Sequence, residues 1–526
     1  MKKHYFLLLC CFLISFEGFT QWLNFEDETN TRIVISNISD NADNNAVDDM
    51  EKDLAVGDFD KDGLTDLVVV RKVPFSSPGA KTDLLFMNRS GVLQDETDIY
   101  APEFLTTATD ARDIICIDVD NDTWLDLFII STFGDQPKLY MNQGNDTNGD
   151  WQGFLDESST RLPTITVNPI QYCAGWGGDL TGNNFPDLYM VNYSPSVTAL
   201  DVLLINDGSG NFTEETQTRM GNLRNSSFGT GVEFHDVDND NDLDIVKNLG
   251  LNTVAPFNAK GPIVLFNNGD GTFTNFYAQP ENAAYMFTAG DLNDNGMLDF
   301  YVVDDAGDYV NRVTGFTEDT NLSISQYAMP TDRTDGFGGN VKMIDLDDDG
   351  DLDVGLSSVD TDLPPCETGT GRRFIIFENQ NLNSGNLVHP YGDTQNIWNV
   401  STYDHDYIDI NDDGLMDIIL GTCDGYLIFM QEDTLSNDEF LLGESLTILP
   451  NPSNGKLDIT FPESISNDIS LEAYALDGST VYKNSTLNVN YRQTLSLDLS
   501  NHLQSGMYFL KFTSDTRVFI SKIIIR

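Results

Sequence analysis

Seven times along this chain a nine-residue pattern returns, close to Asp-x-Asp/Asn-x-Asp/Asn-Gly/Asn-x-x-Asp, with oxygen-bearing side chains at positions 1, 3, 5 and 9. In chain order those positions are Asp58, Asp60, Asp62 and Asp66; Asp118, Asp120, Asp122 and Asp126; Asp179, Thr181, Asn183 and Asp187; and Asp236, Asp238, Asp240 and Asp244. Asp291, Asn293, Asn295 and Asp299 follow, then Asp345, Asp347, Asp349 and Asp353, and finally Asp409, Asn411, Asp413 and Asp417. Alternate spacing puts three short side chains inside a tight turn, and position 9 brings a fourth from the start of the next strand. Oxygen donors alone at this density suit a hard cation, and a flexible cage of about six or seven oxygens suits Ca²⁺ better than Mg²⁺. The position-7 backbone carbonyl, that of Leu64 or Leu415 for example, is the expected extra ligand. Position 6 is Gly63, Asn184, Asn241, Gly296, Gly350 or Gly414, residues that tolerate the left-handed backbone needed to aim donors inward; Thr123 is the exception.

The copies are unequal. The first, second, fourth and sixth carry four carboxylates, the seventh three, and the third and fifth two, so of up to seven Ca²⁺ sites those at Asp179 and Asp291 are expected to be weakest. An EF-hand is excluded, because position 12 holds Val69, Ile129, Leu356 or Leu420 rather than Glu. The competing reading of one such cluster is a hydrated Asp/Asn/Gly turn; seven copies in a single frame point to cations.

These loops need strands to hold them. Their first residues stand 54 to 64 residues apart, a repeat of one supersecondary unit. A short apolar segment such as Leu54–Val56 precedes each loop, and a β-rich run such as Leu67–Val70 or Ile418–Leu420 follows it. A second strand pair surrounds an Asn/Gly turn, as in Leu84–Asn88, Gly91 and Leu93–Thr97, or Leu203–Asn206, Gly208, Gly210 and Phe212. Four strands per unit make the blade of a β-propeller. The seventh unit lacks its fourth strand after Tyr426–Met430, whereas Leu23–Thr29, before the first unit, resembles a fourth strand. The N-terminal strand is therefore expected to complete the last blade, which removes both free sheet edges. The expected fold is all-β: a seven-bladed β-propeller with calcium-binding loops over residues 22–433, a linker at 434–445, and a small C-terminal β-sandwich over 446–526.

Of 526 residues, 84 are acidic and 28 basic, a formal charge of −56 that excludes nucleic acid as a partner. Bound cations would offset part of that charge. Lys2 and Lys3 precede the apolar run Phe6–Phe16, which reads as a signal peptide over residues 1–20; no later stretch is long enough for a transmembrane segment. Cys10 and Cys11 lie inside that run with no polar tether behind them, against a lipoprotein anchor. Cys116, Cys173, Cys366 and Cys423 remain, with no metal-site spacing and three ways to pair.

The repeat resembles the FG-GAP or VCBS type of integrin alpha-subunit propellers and secreted bacterial proteins, with Phe228-Gly229-Thr230-Gly231 and Phe337-Gly338-Gly339 echoing the Phe-Gly element. Past Leu446 the charge density falls. Ile448-Leu449-Pro450-Asn451-Pro452-Ser453-Asn454-Gly455, Ala475-Leu476-Asp477-Gly478, Leu503–Tyr508 and the Lys522–Arg526 end resemble a type A sorting domain of the type IX secretion system. That resemblance implies a Bacteroidota-like Gram-negative host, engagement of the secretion machinery, and a place outside the cell or on its outer surface. No GxSxG, HExxH or Walker loop is present. His235 and His405 adjoin metal loops, and His389 lies in a loop. The favoured reading is a non-catalytic, calcium-dependent binding or adhesion module for an extracellular protein or glycan, with Trp151 a candidate for stacking on a sugar. The alternative is a polysaccharide lyase or other carbohydrate-active enzyme on a propeller, which the scarcity of basic residues disfavours.

Overall fold

The computed structural model describes residues 23–36, 48–74, 77–167, 169–278, 284–304, 307–316, 322–328, 337–359, 374–380, 386–388, 401–432, 447–460, 468–475, 480–488, 494–513 and 518–526. The proposed signal peptide and linker, Cys366 and His389 lie outside them. The chain divides into two compact units, one through Thr434 and one from Leu435. No helix among the described residues is long and apolar enough to cross a membrane.

The first unit is all-β and propeller-like. Glu51–Gly57, Asp66–Lys72, Leu84–Asn88 and Leu93–Asp95 form an antiparallel meander, with Ile33–Val34 added in parallel at its edge. Four further sheets repeat the meander with first strands Ala111–Ile117, Tyr172–Gly178, Val232–His235 and Met286–Gly290; a sixth starts at Phe337–Ile344. In the seventh, Thr402–Ile408, Asp417–Thr422 and Gly425–Glu432 are followed at the edge by Asn24–Asp27, paired antiparallel from Asn24 opposite Glu432 to Asp27 opposite Phe429. Every nine-residue loop joins the first strand of a sheet to the second.

Second strands such as Asp66–Lys72 are buried throughout because both faces meet neighbouring sheets, which is why they read as continuous apolar runs rather than alternating ones. One apolar cluster fills the space between each sheet and the next. Leu54, Leu67 and Val69 of the first sheet pack with Ile408, Ile419 and Tyr426 of the seventh, just as Tyr189 and Leu203 of the third pack with Ile245 and Leu265 of the fourth. The first strands stand side by side in chain order, and the last meets the first.

The second unit is a sandwich. Thr447–Leu449, Lys456–Thr460 and Thr494–Asp498 form one sheet, and Thr480–Asn488, Asp468–Ala475, Gly506–Thr513 and Val518–Ile525 the other. Leu457, Ile459, Leu471, Leu510, Phe512 and Ile523 make its core.

Candidate metal centres and central cavity

All seven loops share one hydrogen-bond frame. The position-6 N–H donates to the first aspartate at 2.6 to 3.1 Å, as from Gly63 to Asp58 Oδ2 and from Gly414 to Asp409 Oδ2. The position-7 N–H donates to the position-5 side chain at 2.8 to 3.2 Å. Two residues per loop are left-handed: position 6, where even Thr123 has φ 79°, and position 4, where Lys61, Asn121 and Asp412 have φ near 57–60°. Only the former was expected from residue type.

Within this frame, carboxylate oxygens of Asp58, Asp60 and Asp62 lie within 4.8 Å of one another, as do those of Asp118, Asp120 and Asp122, of Asp236, Asp238 and Asp244, and of Asp345, Asp347 and Asp349. These are the four loops with four carboxylates. The donor set fits a hard cation on a second count: Asp58 Oδ1 and Asp120 Oδ1 are buried without a hydrogen-bond partner. The other three loops place amides among their acids. Asn293 Nδ2 donates to Asp299 Oδ2 at 2.6 Å and Asn411 Nδ2 to Asp413 Oδ2 at 2.9 Å, so an amide does part of a cation's work there.

The position-9 aspartates are buried. Asp66 accepts the Phe59 N–H on one oxygen at 3.0 Å and the Asn88 N–H on the other at 2.7 Å, a fastening repeated by Asp126, Asp187, Asp244, Asp353 and Asp417. Burial pushes Asp66, Asp244 and Asp353 up to about 8, Asp126 and Asp417 to about 7, and Asp187 and Asp299 to about 6. A bound cation would favour the charged form of each. Asp351, at position 7 of the sixth loop, is likewise raised to about 6, by burial and then by Asp349, Asp347, Asp345 and Glu378.

Residue patterns placed an asparagine at the end of the third strand, before the Gly turn, but missed its role between sheets, which five sheets share. Asn142 Nδ2 donates to the Phe59 carbonyl of the preceding loop at 2.9 Å; Asn206 repeats this on Val119, Asn267 on Leu180 and Asn379 on Leu292. In the first four sheets its Oδ1 accepts the N–H of the following turn, as from Gly208 to Asn206 at 2.9 Å. The sequence signal was the Asn before each Gly turn, but the partner lies in a neighbouring sheet.

A cavity of about 710 Å³ is lined by the first strands of all seven sheets. Around it, carboxylates fasten one first strand to the next: Asp53 accepts the Ile114 N–H at 3.2 Å, Asp113 the Gly175 N–H at 2.6 Å, Glu233 the Ala289 N–H at 3.0 Å and Asp404 the Leu54 N–H at 2.8 Å. Asn340 Nδ2 bridges Asp53 and Asp404 at 2.9 and 2.6 Å. Burial, then the charges of Asp404 and Asp113, hold Asp53 well above the usual carboxylate range; burial raises Asp113 to about 6. Other charges are paired, Glu51 with Arg112 at 3.3 Å and Lys342 with Asp406 at 3.0 Å, and Glu233 Oε2 is hydrogen-bonded to His235 Nε2 at 2.7 Å.

Trp151 is committed to packing, contrary to its candidacy as a sugar platform. Its ring lies 4.7 Å from Tyr100 and 5.6 Å from Phe154, and its Nε1–H donates to Asn142 Oδ1 at 2.8 Å. His405 is fully buried beside Phe374 and Tyr407, where burial holds its pKa well below the usual range. Cys423 is disulfide-bonded, whereas Cys116 and Cys173 are free thiols at the cavity wall.

Comparison with family models matches an FG-GAP-like repeat over residues 179–246, from the third loop into the second strand of the fourth sheet, and a secretion system C-terminal sorting domain over residues 447–526. The chain carries an FG-GAP-like repeat and a type IX secretion sorting domain. The sorting domain marks type IX export to the cell surface or extracellular space, as in Bacteroidota. No curated protein matches the chain in sequence. Among solved structures, PorZ, an essential surface component of the type IX secretion system of Porphyromonas gingivalis, aligns with 90% of this chain at 11% identity and a TM-score of 0.38; the chain covers 58% of PorZ. A fructofuranosidase from Schwanniomyces occidentalis aligns with 90% of this chain and 90% of its own at 11% identity and a TM-score of 0.29.

Proposed function

We propose that this chain is a calcium-stabilised, seven-bladed propeller over residues 22–433, exported by its 446–526 sorting domain after removal of a signal peptide. It acts as a non-catalytic binding or adhesion module for an extracellular protein or glycan. The position 1, 3, 5 and 9 side chains of the seven loops are its cation ligands. One observation carries the reading: four loops in the same frame gather three carboxylates within 4.8 Å, a grouping that like-charge repulsion opposes unless a cation joins them. Calcium bound there would neutralise the cage and tie the first strand of a sheet to the second; the protein's own residues do the rest, through the position-6 and position-9 fastenings.

A binding role is supported by the cavity of about 710 Å³, within the range of roughly 300–1,000 Å³ that small-ligand pockets occupy. Its paired charges suit orienting a ligand, and His405, which adjoins a metal loop, is sealed from substrate. Equilibrium dialysis of the full chain against radiolabelled calcium tests the metal assignment: about four or more ions per chain are expected at millimolar calcium, and fewer than one overturns it. A glycan array with calcium-loaded protein, run beside an ultraviolet assay for unsaturated sugar products, tests the role. Calcium-dependent capture without turnover is expected; product formation overturns the non-catalytic reading.

A further inference from the structure

The sixth sheet departs from its siblings at two neighbouring positions. Just before the clasp residue of the third strand, the other sheets place buried Met87, Met141, Ile205, Phe266 and Met430, and the fifth places Arg312; the sixth has Glu378. At position 7 of the loop, Leu64, Trp124, Phe185, Met297 and Leu415 stand in five sheets, Asp242 in the fourth and Asp351 in the sixth. Only the sixth is acidic at both.

These acids adjoin a loop whose Asp345, Asp347 and Asp349 oxygens already lie within 4.8 Å of one another. Asp351 donates its N–H to Asp349 Oδ1 at 3.2 Å, is only 6% exposed, and has an Oδ1 with no hydrogen-bond partner. Glu378 precedes Asn379, whose N–H is held by Asp353 at 2.9 Å, and Gln380 Nε2 donates to its Oε2 at 3.0 Å. Other loops carry an internal cation: Arg89 reaches Asp60 at 2.9 Å, Arg161 reaches Asp120 at 3.6 Å, and Arg312, at the Glu378 position of the fifth sheet, acts electrostatically on Asp299. Among the described residues neither Asp351 nor Glu378 forms an ion pair. Asp242 of the fourth loop shares the partnerless Oδ1 but has apolar Phe266 at the third-strand position; only in the sixth does a buried, unpartnered carboxylate oxygen stand with a second acid, Glu378, where the other sheets have apolar or cationic side chains, an arrangement that a cation would stabilise.

We propose that Asp351 and Glu378, with Asp349 at their shared edge, hold a second hard divalent cation beside the one expected among Asp345, Asp347, Asp349 and Asp353. The site would be oxygen-only, like the loop, but built partly from the third strand. This rests on the sixth loop being a cation cage, and one experiment separates the two.

Crystals of the full chain grown with Mn²⁺ are examined by anomalous diffraction. Two peaks are expected at the sixth loop, and the one between Asp351 and Glu378 is lost in the Asp351→Leu/Glu378→Met variant, which restores the side chains of the first sheet. A single peak among Asp345, Asp347, Asp349 and Asp353 overturns the second site while leaving the loop reading intact; no peak at the sixth loop overturns both. In solution the variant is expected to melt above the unmodified protein in EDTA and to gain a smaller shift from added Mn²⁺. Equal melting in EDTA and an equal shift overturn the proposal.

Discussion

The side-chain amide of Asn88 donates to the carbonyl of Ile410 at 2.9 Å, joining residues 322 positions apart. Asn88 belongs to the first sheet and Ile410 to the loop of the seventh, so the bond is the same clasp that Asn142, Asn206, Asn267 and Asn379 make on the loop before theirs. It joins the two sheets most distant in sequence. Together with Asn24–Asp27 on the edge of the seventh sheet and Asp404 on the Leu54 N–H, it ties the beginning of the first unit to its end.

Asn88→Ala should therefore cost about 2–3 kcal/mol, because it strands the buried Ile410 carbonyl and the Gly91 N–H that Asn88 Oδ1 accepts at 2.9 Å. Urea unfolding measures it. Asn88→Ala and Asn206→Ala should cost similar amounts if the clasp at the closure is equivalent to the others; a neutral Asn88→Ala would show that closure does not depend on it.

Asp122→Asn should cross over with metal. Its Oδ1 accepts the Trp124 N–H at 2.8 Å, a bond that Asn183 makes to Phe185 in the third loop, so the turn survives. With one fewer carboxylate the variant should melt higher than the unmodified protein in EDTA and lower in saturating calcium. Loss of one site occupied at about 100-fold its dissociation constant corresponds to roughly 2.7 kcal/mol. Differential scanning calorimetry in both buffers checks the crossing.

The cavity carboxylates set a pH dependence. Asp113 is raised from the ordinary value of 3.8 to about 6, and Asp53 is raised as well. Stability from raised acids is fully present below about pH 4 and is lost as pH climbs through their folded values. Measured in saturating calcium, stability should fall as pH rises from about 4 to 7, with Asp113 contributing on the order of 2–3 kcal/mol, most of it below about pH 6. Asp53→Asn removes one of the two raised acids and should flatten that slope; an unchanged slope in urea titrations at pH 4, 5, 6 and 7 would contradict it.

Lys247 of the fourth sheet and Asp201, at the start of the third sheet's third strand, form a fully buried pair at 2.6 Å, and Tyr189 donates to the same carboxylate at 2.8 Å. Lys247→Met should cost about 3–5 kcal/mol by leaving Asp201 buried and uncompensated. Lys247→Met/Asp201→Asn should recover much of that loss. A double variant no better than the single would mean that lost packing, rather than stranded charge, dominates.

What was legible in the sequence was whatever repeats locally. The loop frame follows from Asp, Asn and Gly at fixed offsets, and apolar runs such as Leu67–Val70 mark strands buried on both faces. The fourth strand was read as Leu93–Thr97, but it ends at Asp95, because Thr97 begins a helical turn and its hydroxyl donates to Asp95 Oδ1 at 2.6 Å. Contacts between sheets were not legible. Asn88 and Ile410 carry no mutual signal along the chain, nor do Asp53, Asp404 and Asn340, which meet only once the first strands are side by side. Trp151 looked available because it sits in an Asn/Gly/Asp-rich insertion, yet Tyr100 and Phe154, distant or on another strand, cover it.

The most direct test of the calcium account is thermal unfolding of the full chain in millimolar calcium and in EDTA. Four or more loops that bind in the roughly 10⁻⁴ to 10⁻³ M range should raise the melting temperature by about 2–7 °C in millimolar calcium. Superimposable melting curves in the two buffers would contradict it.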